Sequence, residues 1–175
     1  MDITTKQKIE AQEAKDRYVA SECLKYIFRN QQNLSITPTD ILDNVDLECS
    51  CTLKNGEKVD FVVEIKERYK DKAQLEKYPN AELKVDKYER MRKRTPQGTI
   101  LFYMVLLNNE SCLIFNMDKL NWNKVQRKVW YIKKTQMDIN SPVIPTPTYF
   151  IPYSEANITM DCSNYFNNYN PNLAA

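Results

Sequence analysis

The sequence predicts one domain of mixed α and β structure, and three observations predict it. Residues 46–53 and 59–66 are two alternating runs joined by Lys54-Asn55-Gly56-Glu57-Lys58, and Asn-Gly is the strongest short-range hairpin signal a chain carries. Residues 99–107 (TILFYMVLL) are apolar on both faces, as a strand covered from two sides must be. Helical periodicity brackets these strands at residues 5–30 and 81–94. A chain of 175 residues holds enough material for one core of this kind. We place the domain at residues 1–160 and expect residues 161–175, rich in Asn and Tyr, to be a mobile tail.

In the first helical segment Ala20, Leu24 and Ile27 recur at helical spacing, and Val19 and Cys23 widen the stripe. The same stripe runs back through Arg17 to Glu13, with Glu10 near one turn earlier. Residues 31–45 read as a polar linker with room for a short strand at 35–38.

The hairpin follows. Leu47, Cys49, Cys51 and Leu53 share one face of its first strand; Phe61, Val63 and Ile65 share one face of the second. Pairing apolar with apolar leaves two registers. One sets Asp46 opposite Glu64; the other sets Asp46 opposite Lys66 and Glu48 opposite Glu64. A tight two-residue loop would set Leu47 against Glu64 and is disfavoured. Both surviving registers gather Asp46, Glu64 and Lys66 at one end of the hairpin.

Residues 68–78 are highly charged and read as a loop or short mobile helix over that end, broken by Pro79-Asn80. Residues 81–94 (AELKVDKYERMRKR) form a second helix on Leu83, Lys87 and Met91. Lys84, Lys87, Arg90, Arg92, Lys93 and Arg94 make it strongly basic. After the 99–107 strand, Asn108-Asn109-Glu110 turns the chain into a neighbouring strand, SCLIFNM. Asp118 is a candidate cap for a short helix through Trp122 and Val125. Residues 128–136 read as an edge strand, and Pro142, Pro145 and Pro147 bar residues 141–148 from a central one.

Composition excludes several chemistries. There is no histidine, so Ser-His-Asp, Cys-His and His-ligated zinc sites are impossible. Only Gly56 and Gly98 occur, which removes glycine-rich phosphate loops and dinucleotide fingerprints. Five scattered cysteines (Cys23, Cys49, Cys51, Cys112, Cys162) read as reduced core thiols of a cytoplasmic protein, and not as a zinc site. No apolar run approaches the ~20 residues of a membrane span. Twenty-five basic against 23 acidic residues, a net charge of +2, single out no partner by charge alone. The abundance of Lys, Asn, Ile and Tyr suggests an AT-rich bacterial or phage genome.

Two carboxylates and a lysine at one hairpin end make a site for a hard divalent cation with a cationic side chain beside it. Asp46 followed on the next strand by Glu64-Ile65-Lys66 resembles the PD-(D/E)xK nuclease superfamily over about residues 10–107. The proline that usually precedes the acid is absent, and Pro38-Thr39-Asp40 lies too far upstream to pair with Glu64. The resemblance implies a restriction-endonuclease-like, junction-resolvase-like αβββαβ core, with a mixed central sheet flanked by helices. It implies a metal-dependent nuclease acting on nucleic acid, DNA in preference to RNA, and it is compatible with a homodimer.

Asp46, Glu64 and the Ile65 carbonyl would hold Mg²⁺ or Mn²⁺. Glu13, with Glu10 in reserve, would join the catalytic set from the first helix. Lys66 would orient the attacking water, since two neighbouring carboxylates would raise its pKa and spoil it as a base. Arg68, Lys70, Lys84, Lys87 and Arg90 would contact phosphates without reading bases. A second basic cluster is formed by Lys124, Arg127, Lys128, Lys133 and Lys134. The competing reading is a catalytically inactive module of the same fold, binding nucleic acid or serving as an assembly subunit.

Overall fold

The computed structural model describes residues 3–40, 43–133 and 142–171. A long helix α1 (Ile3–Ile27) leads into strands β1 (Gln32–Pro38), β2 (Leu47–Thr52) and β3 (Lys58–Arg68). A short helix α2 (Lys72–Lys77), strand β4 (Asn80–Lys84) and helix α3 (Val85–Arg94) precede β5 (Ile100–Leu107) and β6 (Ser111–Asn116). Then come β7 (Gln126–Lys133), β8 (Val143–Pro152), β9 (Ile158–Asp161) and α4 (Ser163–Asn167). A six-stranded sheet runs β1-β2-β3-β5-β6-β9, and a three-stranded sheet runs β4-β8-β7. β3 and β5 are parallel while their other neighbours are antiparallel, so the main sheet is mixed. With α2 and β4 as an insertion, α1, β1 to β3, α3 and β5 give the expected αβββαβ order.

The β2–β3 register is the first of the two alternatives: Leu47 pairs with Val63 and Glu48 with Val62, which sets Asp46 level with Glu64. Gly56 takes φ +85° in the turn, a left-handed value that favours glycine. Alternation along β3 feeds two cores. Phe61, Val63 and Ile65 pack with Val19, Ala20, Cys23 and Leu24 of α1. Val62 packs with Leu83, Met91, Leu101, Tyr103 and Ile151 on the opposite face. β5 lies between β3 and β6, covered on both faces, as its apolar sequence requires. All five cysteines are free and buried. Among the described residues no helix is long and apolar enough to cross a membrane.

Five expectations change. Residues 81–94 are not one helix: Ala81 and Leu83 alternate inward from β4, paired with Ile151 and Tyr149, and the helix begins at Val85. Period two beats period 3.6 there because β8 supplies a strand partner. β8, with its prolines, is the central strand of the smaller sheet. β4 spans only Thr148 to Pro152, so Pro145 and Pro147 stand where β8 has one neighbour, β7, and a missing N–H breaks no two-sided ladder. Asp118 caps no helix; it accepts from the Leu101 N–H at 3.0 Å and pairs with Arg92. The 3₁₀ turn Trp122–Lys124 is capped by Asn121 instead.

Of the expected tail, residues 161–171 complete β9 and form α4, with Cys162 and Phe166 in the α1-side core, and residues 172–175 lie outside the described residues. The linker also holds a longer strand than expected, β1, paired with β2. Residues 134–136 of the expected edge strand, Lys134 among them, lie outside the described residues.

Candidate active site

Alternation on β3 points Glu64 and Lys66 to one face at the strand's exit. Asp46 is tied to the same strand from the other side of the ladder. Its N–H donates to the Val63 carbonyl at 2.9 Å, and its Oδ2 accepts from the Ile65 N–H at 2.7 Å. From α1, Arg17 Nη2 comes within 3.8 Å of Asp46 Oδ1; from α3, Lys87 Nζ stands 3.0 Å from Glu64 Oε1. Glu13, Asp46, Glu64, Ile65, Lys66 and Lys87 line one cavity of about 480 Å³. The reserve residue Glu10 is not part of that lining.

Glu64 is 7% exposed, and its Oε2 is buried without a hydrogen-bond partner. Burial first, and the negative charge of Asp46 second, push its pKa from 4.5 up to about 8; Lys87 opposes both and does not prevail. Glu13 Oε2 is likewise buried and unpartnered. Lys66 departs from expectation. Its pKa is lowered, by partial loss of water first and by Arg68 second, and the pull of Glu64 and Asp46 does not offset this. Lys66 nonetheless keeps part of its side chain in solvent.

These residues suit a hard cation. Two carboxylate oxygens are desolvated and unmatched, a third carboxylate adjoins them, and every donor is oxygen. Arg17 and Lys87 now balance part of that charge. Among the described residues no three acids, cysteines or histidines converge tightly enough to enclose an ion by themselves.

The basic residues divide into two groups. Arg68, Lys84, Lys87 and Arg90 line a second groove together with Glu64 and Lys66, so cations border the carboxylates on one continuous surface. Lys70 does not belong with them. Its ammonium meets the Tyr78 carbonyl at 3.1 Å, the Asn80 carbonyl at 2.8 Å and Glu82 Oε1 at 2.7 Å, which uses all three donors. It fastens the α2 loop to β4, and we withdraw it from the phosphate contacts. Arg92 and Arg94 also pair, with Asp118 and with Asp43 and Glu48, and lie outside the groove; Arg68 and Arg90 line it while pairing with Glu82 and Asp86.

Two acids escaped the sequence reading. Gln12 Nε2 bridges Asp16 Oδ1 at 2.9 Å and Glu67 Oε1 at 3.0 Å at the rim of the same cavity. Burial first and Glu67 second raise the Asp16 pKa to about 7. Asp16 was legible in principle, three residues after Glu13 and so on its helical face. Glu67 was not, because alternation assigns it to the face opposite Glu64.

No family model and no curated protein matches this chain. Among solved structures it is similar to Hjc, a Holliday junction resolvase from the archaeal hyperthermophile Archaeoglobus fulgidus. The TM-score is 0.43 and the identity 12%, covering 82% of this chain and 96% of that one.

Proposed function

We propose that this chain is a divalent-metal-dependent nuclease that hydrolyses phosphodiester bonds, with DNA as its substrate. One observation carries the reading: the buried Glu64 carboxylate, paired with Lys87 through Oε1 but with Oε2 unmet, stands beside Asp46 and Lys66 where a groove of cations begins. A desolvated carboxylate with an unmet acceptor is a cost to the fold unless a ligand meets it. Asp46, Glu64 and the Ile65 carbonyl would hold Mg²⁺ or Mn²⁺, with Glu13 behind them. When bound, such an ion polarises the scissile phosphate and lowers the pKa of a coordinated water.

The chain's own residues do the rest. Lys66, exposed at the cavity, hydrogen-bonds the incoming water or a phosphate oxygen and balances the negative charge that develops there. Its lowered pKa also eases proton acceptance at Nζ by the neutral fraction. Lys87 holds Glu64 in place and is free to turn toward a phosphate once another cation takes that carboxylate. Arg68, Lys84 and Arg90 bind backbone phosphates along the groove and read no base.

A second reading, a non-catalytic nucleic-acid-binding module, is favoured by one feature. Arg17 and Lys87 already pair with Asp46 and Glu64, so the carboxylates are balanced without metal. Incubating the protein with duplex, single-stranded and branched DNA and with RNA, in Mg²⁺, Mn²⁺ or chelator, separates the two. Metal-dependent cleavage that Glu64→Gln and Asp46→Asn abolish supports the nuclease. Binding without cleavage under every condition supports the module.

A further inference from the structure

The smaller sheet extends the face on which Lys84 stands. In its register Lys84 lies level with Thr148, and Thr148 with Lys128, so one cross-strand row carries a lysine at each end. Two strand spacings, roughly 10 Å, separate their backbones. Trp130 follows Lys128 on the same side of β7, level with Thr146. Its ring packs against Phe150 at 5.3 Å between centroids and meets Tyr78 nearly edge-on at 6.1 Å. Both remain open to solvent, Trp130 at 40% and Tyr78 at 38%. Lys128 lies 5.9 Å from the Phe150 ring centre and Lys77 lies 5.3 Å from that of Tyr78.

Charge decides what fits this platform. Neither β7 nor β8 contains an acidic residue. Among the described residues Lys77, Lys84 and Lys128 make no ion pair, unlike Arg92 and Arg94 of α3. Unspent cations interleaved with exposed, braced aromatic rings match an anionic chain that presents flat faces. A duplex hides its base faces; an unpaired strand offers them for stacking.

We propose that the β7–β8 ribbon and Tyr78 form a docking face for an unpaired polynucleotide strand. The strand runs from the carboxylate groove over Lys84 and Lys128 and stacks bases on Trp130 and Tyr78. The inference rests on the nuclease reading for what occupies the groove, and it narrows the substrate to DNA with a single-stranded segment beside the cleavage point. The docking itself needs neither metal nor turnover.

The test is binding in chelator, by fluorescence anisotropy, of labelled oligothymidylate and of a blunt duplex. The chain has two tryptophans, so in the Trp122→Phe background Trp130 alone reports. Oligothymidylate should quench it. Trp130→Ala and Lys128→Glu at an exposed position should each lower oligothymidylate affinity about tenfold, and lower duplex affinity less; Trp130→Tyr should recover most of the loss. A wild type that cuts duplex with Mg²⁺, together with no quenching of Trp130 by oligothymidylate in the Trp122→Phe background, overturns the docking inference alone. A wild type that binds and quenches but cuts nothing overturns the nuclease reading alone. If Trp130→Ala dissolves a dimer seen by sedimentation and leaves oligothymidylate affinity unchanged, the face belongs to a second copy and the inference fails.

Discussion

Glu64 makes the protein's stability depend on pH in a direction opposite to that of an ordinary paired carboxylate. Its pKa rises from 4.5 in the unfolded chain to about 8 in the fold. Between those values the unfolded state has lost a proton that the native state keeps. Stability is therefore fully present below about pH 4.5 and falls as pH rises toward 8. Asp16, raised to about 7, acts with the same sign. Without metal, Glu64→Gln should melt with the wild type near pH 4 and be the more stable, by a few kcal/mol at most, above about pH 8. A gap that does not open with pH would show the carboxylate to be solvated. Mg²⁺ needs the ionised form, so its stabilisation of the wild type should grow over the same range. Lys70 and Lys84 test the division among the cations. Lys70, with its side chain 10% exposed and all donors filled, should cost about 1–3 kcal/mol on replacement by alanine; exposed Lys84 should cost about 0.5 or less.

Elements differ in how far a local change spreads. Asp71 caps α2 in a capping box with Gln74, yet no residue of α2 is buried. Asp71→Ala should destabilise that turn by about 0.5–2 kcal/mol, seen as faster amide exchange in residues 72–77 with the global melting temperature nearly unchanged. Leu83→Ala should act globally, at about 2–5 kcal/mol, because β4 carries Leu83 into the core with Met91 and Tyr103. The same strand shows where sequence reading ended. Residues 81–94 contain apolar positions at both spacings, and β8, some seventy residues later, selects the strand for the first four. α4 formed for a comparable reason: Phe166 has little to pack against locally, and α1 supplies it.

Over the whole molecule, basic residues matter by position and not by number. Arg68, Lys84, Lys87 and Arg90 line one groove, although Arg68, Lys87 and Arg90 also pair with Glu82, Glu64 and Asp86, whereas Lys70, Arg92 and Arg94 pair with acids and do not line it. Removing Lys84 or Arg90 should reduce the slope of log affinity against log salt by about 0.7 to 0.9 each. Lys70→Ala should leave that slope unaltered while lowering the melting temperature. Equal slopes for all three variants would mean that binding follows net charge and that the groove has no special part in it.

By itself the sequence determined the hairpin, the doubly covered β5, the face shared by Glu64 and Lys66, and the approach of Asp46 to them. Alternation and Asn-Gly turn chemistry act between near neighbours, so they can be read without a fold. Tertiary structure decided between the two hairpin registers, set Lys87 on Glu64 and Arg17 on Asp46, and turned Lys70 inward. It also reversed the direction of the Lys66 pKa. Those outcomes depend on which distant elements meet and how much water they exclude. Burial and Coulomb interactions are sums over everything nearby in space, and α1, β3 and α3 become neighbours only when the chain has folded.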